Sequence, residues 1–249
     1  MFEEQLDPGY IVTQSGTSEG TQIKYKKDGY WYKLDTNGRE GLCEYLASHL
    51  LTYSDLKSDE YIMYEQGTIN GTPGCRSKDY LTDKNDEFIT IYRLYYNEFG
   101  RNLAEVLAGF DRVEERIEYT ISFVKQSCGI DITDYLAKTI TLDSIILNED
   151  RHVNNLALIG SDQGFRPAPI FDNGHSLLTA NRSVNWNFPM EDNVRRVIAK
   201  PFSGSYQAML KFFGKGFQLD VSNALKWLKK EQASRERDVL VYMLEHSIF

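Results

Sequence analysis

Cysteine is scarce in this chain: among 249 residues there are three, Cys43, Cys75 and Cys128. An odd number at wide spacings makes neither a disulfide framework nor a zinc knuckle, so they read as reduced thiols that serve as packing residues. Long apolar runs are missing too. The longest, Val239 to Leu244, has six residues, against about 20 for a membrane span. The N-terminal stretch Met1-Phe2-Glu3-Glu4-Gln5-Leu6-Asp7-Pro8 carries acids where a secretory signal would carry a basic segment followed by an apolar one. A cytoplasmic location, without a membrane partner, is the expectation. Basic residues are outnumbered, 28 Lys+Arg against 36 Asp+Glu, for a formal charge of −8. Neutralising nucleic-acid phosphates needs clustered Lys and Arg, so direct nucleic-acid binding by the surface as a whole is not expected, and only a local basic patch stays open.

What the chain does have is aromatic residues, 16 Tyr and 13 Phe, with 41% hydrophobic residues in all, the composition of a folded protein. The length suits one large domain or two lobes sharing a cleft. The first third reads as β with one helix. Strand-like runs cover 10–13, 21–26 and 30–35, with Lys27-Asp28-Gly29 as a hairpin turn. Over 38–51 the period changes, with Leu42, Tyr45, Leu46, His49 and Leu50 three and four apart, which predicts an amphipathic helix. Strands are predicted at 61–66 and 88–94, and the Gly-, Thr-, Asn- and Lys-rich stretch 67–86 between them reads as a surface loop. After Gly100 the pattern is helical over 102–109, 111–128, 132–147, 203–214, 219–230 and 233–247, interrupted by short strands at 156–159 and 169–171. The fold class expected is α+β with two lobes, a small β-rich one over 1–97 and a larger helical one over 98–249, with a ligand between them.

Four segments carry chemistry. In Leu147-Asn148-Glu149-Asp150-Arg151-His152-Val153-Asn154-Asn155-Leu156, a helix ends, a polar loop holds Asp150 and Asn155 five positions apart, and an apolar strand begins. Phosphoryl transfer to a hydroxyl needs a carboxylate near the attacking oxygen and oxygen ligands for magnesium, and kinase catalytic loops space their Asp and Asn in this way. The spacing alone describes a solvated turn equally well. The second segment, Ala168-Pro169-Ile170-Phe171-Asp172-Asn173-Gly174-His175, sets an Asp at the end of an apolar run, where it can reach a phosphate-bridging cation; in isolation it also reads as a turn. Third, Lys33 lies in a strand of bulky residues, with Glu44 eleven positions on in the following helix and Glu40 one turn earlier. Either acid is a candidate to orient a phosphate-binding lysine. Fourth, the glycines and small residues of Ser15-Gly16-Thr17-Ser18-Glu19-Gly20-Thr21 let a backbone approach phosphates and present its N–H groups, or form a plain hairpin loop.

In this order the segments resemble the HipA-like kinases, whose fold is distantly shared with protein kinases and phosphoinositide kinases. Asp150-Arg151-His152-x-x-Asn155 looks like their catalytic loop. Thr17-Ser18-Glu19-Gly20-Thr21-Gln22-Ile23-Lys24 is similar to their Ser-x-x-Gly-x-Gln-x-Lys loop, and Lys33 with Gly41-Leu42-Cys43-Glu44-Tyr45-Leu46-Ala47 resembles their ATP-lysine strand and following helix. The short, stand-alone CtkA-like members are the nearest in pattern. The resemblance implies an ATP- and Mg2+-using Ser/Thr protein kinase. In it Asp150 orients or deprotonates the hydroxyl, Asn155 and Asp172 hold magnesium, Lys33 binds phosphates fixed by Glu44, and Gly20 and Thr21 cover the nucleotide. His152 either supports the transition state or packs, and His175 reads as scaffolding. Loop autophosphorylation falls on Ser15, Thr17 or Ser18, where a dianion would repel the phosphates of ATP. The substrate implied is a protein hydroxyl, a translation component for toxin members, with a separately encoded antitoxin as a further partner. Only about 14 residues precede the loop, so antitoxin contact through an N-terminal subdomain is not expected. Two rival readings stay open: a lipid or small-molecule kinase, with Arg182, Arg195, Arg196 and Lys200 near an anionic head group, and a non-catalytic pseudokinase module.

Overall fold

The computed structural model describes residues 1–12, 23–81 and 83–246. In chain order, β1 (Phe2–Glu4) is followed by a 3-10 turn (Pro8–Tyr10), the hairpin β2 (Lys24–Lys27) and β3 (Tyr30–Leu34), helix α1 (Glu40–Leu51), and the strands β4 (Tyr64–Ile69), β5 (Thr72–Lys78) and β6 (Glu87–Thr90). Helices α2 (Ile91–Phe99), α3 (Leu103–Ala108), α4 (Val113–Cys128) and α5 (Thr133–Ile146) come next, then a 3-10 turn (Val153–Asn155), strands β7 (Ala157–Ser161) and β8 (Gly164–Pro167), and helices α6 (Met190–Val194), α7 (Tyr206–Phe213), α8 (Val221–Leu228) and α9 (Arg235–His246). The described strands form a five-stranded sheet ordered β1-β4-β5-β3-β2 and a three-stranded sheet ordered β6-β7-β8. This is the α+β arrangement expected, a sheet-built N-terminal lobe and a helical remainder. Among the described residues no helix is long and apolar enough to cross a membrane.

Several local expectations give way. The stretch read as a loop over 67–86 contains the second half of a hairpin: Asn70 and Gly71 both take positive φ, 51° and 78°, and turn β4 directly into β5. Asn-Gly is the residue pair such a two-residue turn demands, and the Gly, Thr and Lys content around it masked the strand. The strand read over 88–94 stops at Thr90, whose hydroxyl accepts a hydrogen bond from the Arg93 N–H and starts α2 as its N-cap. That helix runs through positions 97 and 98. Residues 169–171 make no strand, only a single parallel bridge between Tyr61 and Ile170. β1, which pairs in parallel with β4, and β8 were not expected. Of the run 10–13, Ile11 bridges to Tyr25, and Thr13 lies outside the described residues.

Helix α1 is the joint between sheet and helices. Cys43, Leu46, Ala47, Leu50 and Leu51 are buried in the large core shared with α2, α4, α5 and α9. On its other side the helix lies close on β5: a Cβ on Gly41 would sit 2.6 Å from the Gly74 carbonyl carbon, and one on Gly74 would sit 2.2 Å from the Lys33 carbonyl oxygen. Two glycines therefore set the helix against the strands closely enough for Glu44 to reach Lys33. Cys75 is buried in a smaller cluster with Ile62, Tyr64, Ile159 and Phe171, where the first sheet meets β7. All three cysteines are free thiols, Cys43 and Cys75 within the packing as expected.

Candidate active site

Alternation along β3 puts Tyr32 on one face, with Tyr25 and Ile69, and Lys33 on the other. The Lys33 Nζ lies 2.7 Å from Glu44 Oε1 and 2.8 Å from Asp172 Oδ1, with the side chain 12% exposed. The second Glu44 oxygen accepts the Asn173 backbone N–H at 2.9 Å. One glutamate thus ties the lysine strand to the segment carrying Asp172. Burial alone would lower the Lys33 pKa, but the Asp172 and Glu44 carboxylates outweigh it and hold the ammonium well above its ordinary range. Burial alone would raise Asp172; Lys33, and after it Lys24, hold it well below the usual carboxylate range instead. Asp172 also takes φ +59°, a left-handed conformation uncommon outside glycine that sets its carboxylate against the lysine. Of the two candidate partners for Lys33 the structure selects Glu44. Glu40 caps its own helix entrance, accepting from the Asn37 N–H at 2.6 Å and the Thr36 N–H at 3.1 Å, and its Oε1 is 4.0 Å from His175 Nε2.

Lys24 belongs to the same cluster, although sequence reasoning saw it only as the end of the loop motif. It is buried on β2 directly across the ladder from Lys33. Two ammonium groups in register repel, and burial followed by Lys33 pushes the Lys24 pKa down. Two lysines and two acids therefore converge, a set that suits an anionic ligand.

The catalytic-loop segment hangs from the end of α5, where Leu147 takes φ +55°. At its centre Arg151 is completely buried and all five of its N–H donors are used. Nε and Nη2 bind the two oxygens of buried Asp143 at 2.9 and 3.0 Å; Nη1 donates to the carbonyls of Asn155 (3.1 Å) and Phe171; and Nη2 donates to Asn173 Oδ1 at 2.7 Å. Asp143, through its charge, holds the guanidinium above its already high ordinary value against the opposing effect of burial. This residue joins the loop bearing Asp150 and Asn155 to the segment bearing Asp172. Sequence reasoning placed Arg151 within the motif and gave it no role. The clue to Asp143, an acid on an otherwise apolar helix face, was not used.

Asp150 is half-buried, with its side chain 36% exposed. Its Oδ1 accepts from Lys200 Nζ at 3.2 Å, and its Oδ2 is 3.7 Å from His152 Nε2. The amide Nδ2 of Asn155 donates to the Asp150 carbonyl at 2.8 Å, while Asn155 Oδ1 is buried with no hydrogen-bond partner among the described residues. A buried acceptor left without a donor suits a cation. Among the described residues no cluster of three or more His, Cys, Asp or Glu could hold a metal; the Asn155 amide oxygen and the Asp172 carboxylate are oxygen donors of the type that could serve a magnesium that keeps most of its ligands from water and phosphate. Gly20, Thr21, Ser15, Thr17 and Ser18 lie outside the described residues.

Lys33, Asp172 and Lys24 line a cavity of about 40 Å3, far below the roughly 300–1,000 Å3 of a nucleotide-sized site. The direct Lys33–Asp172 bond spans the gap. A larger cavity, about 980 Å3, is lined by residues of β4, β5, α5 and the segments 58–63 and 166–170, and holds none of the predicted site residues. The two share Ile62, Tyr64, Ser77 and Tyr80 as a common wall.

No family model matches the chain, and no curated protein matches its sequence. Solved structures do match its fold. CtkA, a proinflammatory kinase of Helicobacter pylori, aligns over 94% of this chain and 90% of its own with a TM-score of 0.61 and 17% identity. HipA of Shewanella oneidensis MR-1, from a toxin–antitoxin complex with HipB and operator DNA, aligns over 96% of this chain and 66% of its own with a TM-score of 0.52 and 9% identity. At these identities the likeness is one of fold: a sheet-built lobe joined to a helical remainder is the arrangement this chain shares with CtkA and HipA.

Proposed function

We propose that the protein is an ATP- and Mg2+-dependent Ser/Thr protein kinase, with a nucleotide lobe over 1–97 and a catalytic lobe over 98–249. The observation that carries the reading is the Glu44–Lys33–Asp172 chain of ion pairs, with the unsatisfied Asn155 Oδ1 on the loop that Arg151 ties to it. When bound, Mg·ATP supplies an activated phosphoryl group whose charge the metal neutralises. Asp172 and Asn155 would hold the metal, and Lys33 and Lys24 the phosphates. Glu44 would keep Lys33 oriented towards the phosphates. Asp150 takes the proton of the attacking hydroxyl, and Lys200 and His152 beside it hold its carboxylate in place. Gly20 and Thr21 cover the nucleotide, and autophosphorylation falls on Ser15, Thr17 or Ser18.

A lipid head group finds less support. Arg195 is paired with Glu191 and Lys200 with Asp150, so two of the four basic groups that would hold it already have an acidic partner. The likeness to HipA, which is found with HipB and operator DNA, supports a toxin-type role with a separately encoded antitoxin as partner; a cytoplasmic location and a translation component as substrate complete the proposal. Transfer of labelled phosphate from ATP tests the mechanism: it should be abolished in Asp150→Ala and Asp172→Ala, and transfer surviving either substitution overturns the role assigned to that aspartate. Phosphosite mapping of active protein against Asp150→Ala should find phosphate in the loop 15–18 of the former alone.

A further inference from the structure

A further cavity, about 330 Å3, touches the catalytic loop and shares no lining residue with the Lys33–Asp172 cavity. Its apolar wall is Leu107 with Ala104 and Ala108 on α3, Val153 of the loop, and Pro201. Its polar groups are Arg116, His152 and Lys200, with no carboxylate among the lining residues, in a chain whose formal charge is −8. Both cations have donors in reserve. Lys200 has three N–H groups and gives one to Asp150. Arg116 has five and uses three, on the carbonyls of Phe110 and Phe202. His152 Nδ1 is buried and unpaired among the described residues.

These features describe one kind of occupant: an apolar stem ending in an anion. The volume equals about eleven waters at roughly 30 Å3 each, room for a single extended side chain and its flanking peptide. Because Lys200 bridges the cavity to Asp150, a chain with a hydroxyl at Asp150 passes the cavity within one or two residues. We propose that this cavity is an acceptor-side specificity pocket, receiving a glutamate side chain that flanks the phosphorylated Ser or Thr of a polypeptide substrate. The stem lies on Leu107, Val153 and Pro201 and the carboxylate on Lys200 and Arg116. The proposal rests on the kinase reading above and names its substrate class.

A positional-scanning peptide library, phosphorylated by the full chain with labelled Mg·ATP, tests it. Glutamate should be favoured over lysine about tenfold at one position next to the acceptor, the scale of one well-placed charge contact. Ala104 and Ala108 are exposed, so substitutions there leave the core intact. Ala108→Glu should reverse the preference towards lysine, and Ala104→Trp should lower kcat/KM for glutamate peptides about tenfold, with KM for ATP unchanged in both. No acidic preference, the same preference in both variants, or transfer confined to phosphatidylinositol vesicles would each overturn the pocket. Wild-type protein that gains no thermal stability from Mg·ATP would overturn the kinase reading itself, a separate readout from the library.

Discussion

Replacing Arg151 by Met separates what holds the site together from what does its chemistry. The substitution leaves the Asp143 carboxylate fully buried with Asn148 as its remaining side-chain partner, and strips the Asn155 and Phe171 carbonyls and Asn173 Oδ1 of their donor. Removing one member of a buried ion pair costs about 3–5 kcal/mol. That is a large share of the roughly 5–15 kcal/mol that keeps a domain folded, and at roughly 2–4 °C per kcal/mol it lowers the melting temperature by about 6–20 °C. Replacing both charges, Asp143→Leu with Arg151→Met, removes the uncompensated carboxylate and should recover most of the stability, since apolar pairs commonly substitute for buried ions. It should not recover function, because no group then ties the Asn155 loop to the Phe171–Asn173 segment. Thermal denaturation by circular dichroism, with and without Mg·ATP, reads both effects. A single variant destabilised by less than about 1 kcal/mol, or a double variant whose Mg·ATP response equals that of wild type, would refute Arg151 as the link.

Four further outcomes follow from the same geometry. Glu44→Gln keeps the shape of the partner of Lys33 and removes its charge; loss of a charge-assisted bond worth about 1.5–3 kcal/mol should raise KM for ATP roughly ten- to a hundredfold, measured by steady-state transfer. Gly74→Ala drives a Cβ to 2.2 Å from the Lys33 carbonyl, which is backbone and cannot yield cheaply; urea unfolding should show a loss of at least about 1–3 kcal/mol. Asp35, whose Oδ1 accepts the Gly41 N–H, is pushed up to about 6 by burial despite that bond, with Glu40 adding to the rise. A carboxyl raised in the folded state favours folding while protonated, so this contribution is complete below about pH 4, the unfolded value, and fades as pH rises through 6. Asp172 has the opposite sign: its folded pKa is depressed, so its contribution is present above about pH 4 and is lost as pH falls. Asp35→Asn should abolish the decline between pH 4 and 6, and Asp172→Asn should lessen the loss below pH 4, both read from unfolding midpoints.

Much of this arrangement was legible in the chain because the informative residues come in local runs. The Lys33 strand and the Glu44 helix carry their own hydrophobic periods, the Asp150–Asn155 loop is marked by its polar run between a helix and an apolar strand, and their order predicted a two-lobed kinase-like fold. What was hidden depends on register and on distance. Lys24 looks like the last residue of a loop until β2 pairs with β3 and sets it opposite Lys33. Arg151 and Asp143 are eight positions apart across a helix end, with nothing in the intervening residues to link them; only the αL turn at Leu147 brings them together. The β4–β5 hairpin was missed for a different reason. Asn70-Gly71 announced it, but the residues after the turn, Thr72-Pro73-Gly74-Cys75, include a proline and a glycine that strands usually avoid. Pro73 is tolerated beside the turn, and Gly74 is required by the closeness of α1 and Lys33.

The cluster of Lys24, Lys33, Glu44 and Asp172 has a consequence for magnesium that can be separated from catalysis. Two cations and two anions balance, and the gap between Lys33 and Asp172 is bridged by their own ion pair. A triphosphate that takes Lys33 would leave Asp172, its side chain only 22% exposed, beside added negative charge without a partner, a costly arrangement. Asp172 can let go of Lys33 without that penalty only if a cation arrives with the phosphates. Nucleotide binding itself, and not only transfer, should therefore require the metal. Wild-type protein at about 100 times the dissociation constant of Mg·ATP gains about 2.7 kcal/mol, a rise of roughly 5–11 °C in melting temperature, and should gain little from ATP in EDTA. Asp172→Asn removes the stranded charge, so it should bind ATP in EDTA more tightly than wild type does while remaining unable to transfer phosphate. Equal stabilisation of wild type by ATP with and without magnesium would show that Asp172 is not the residue that makes the site wait for the metal.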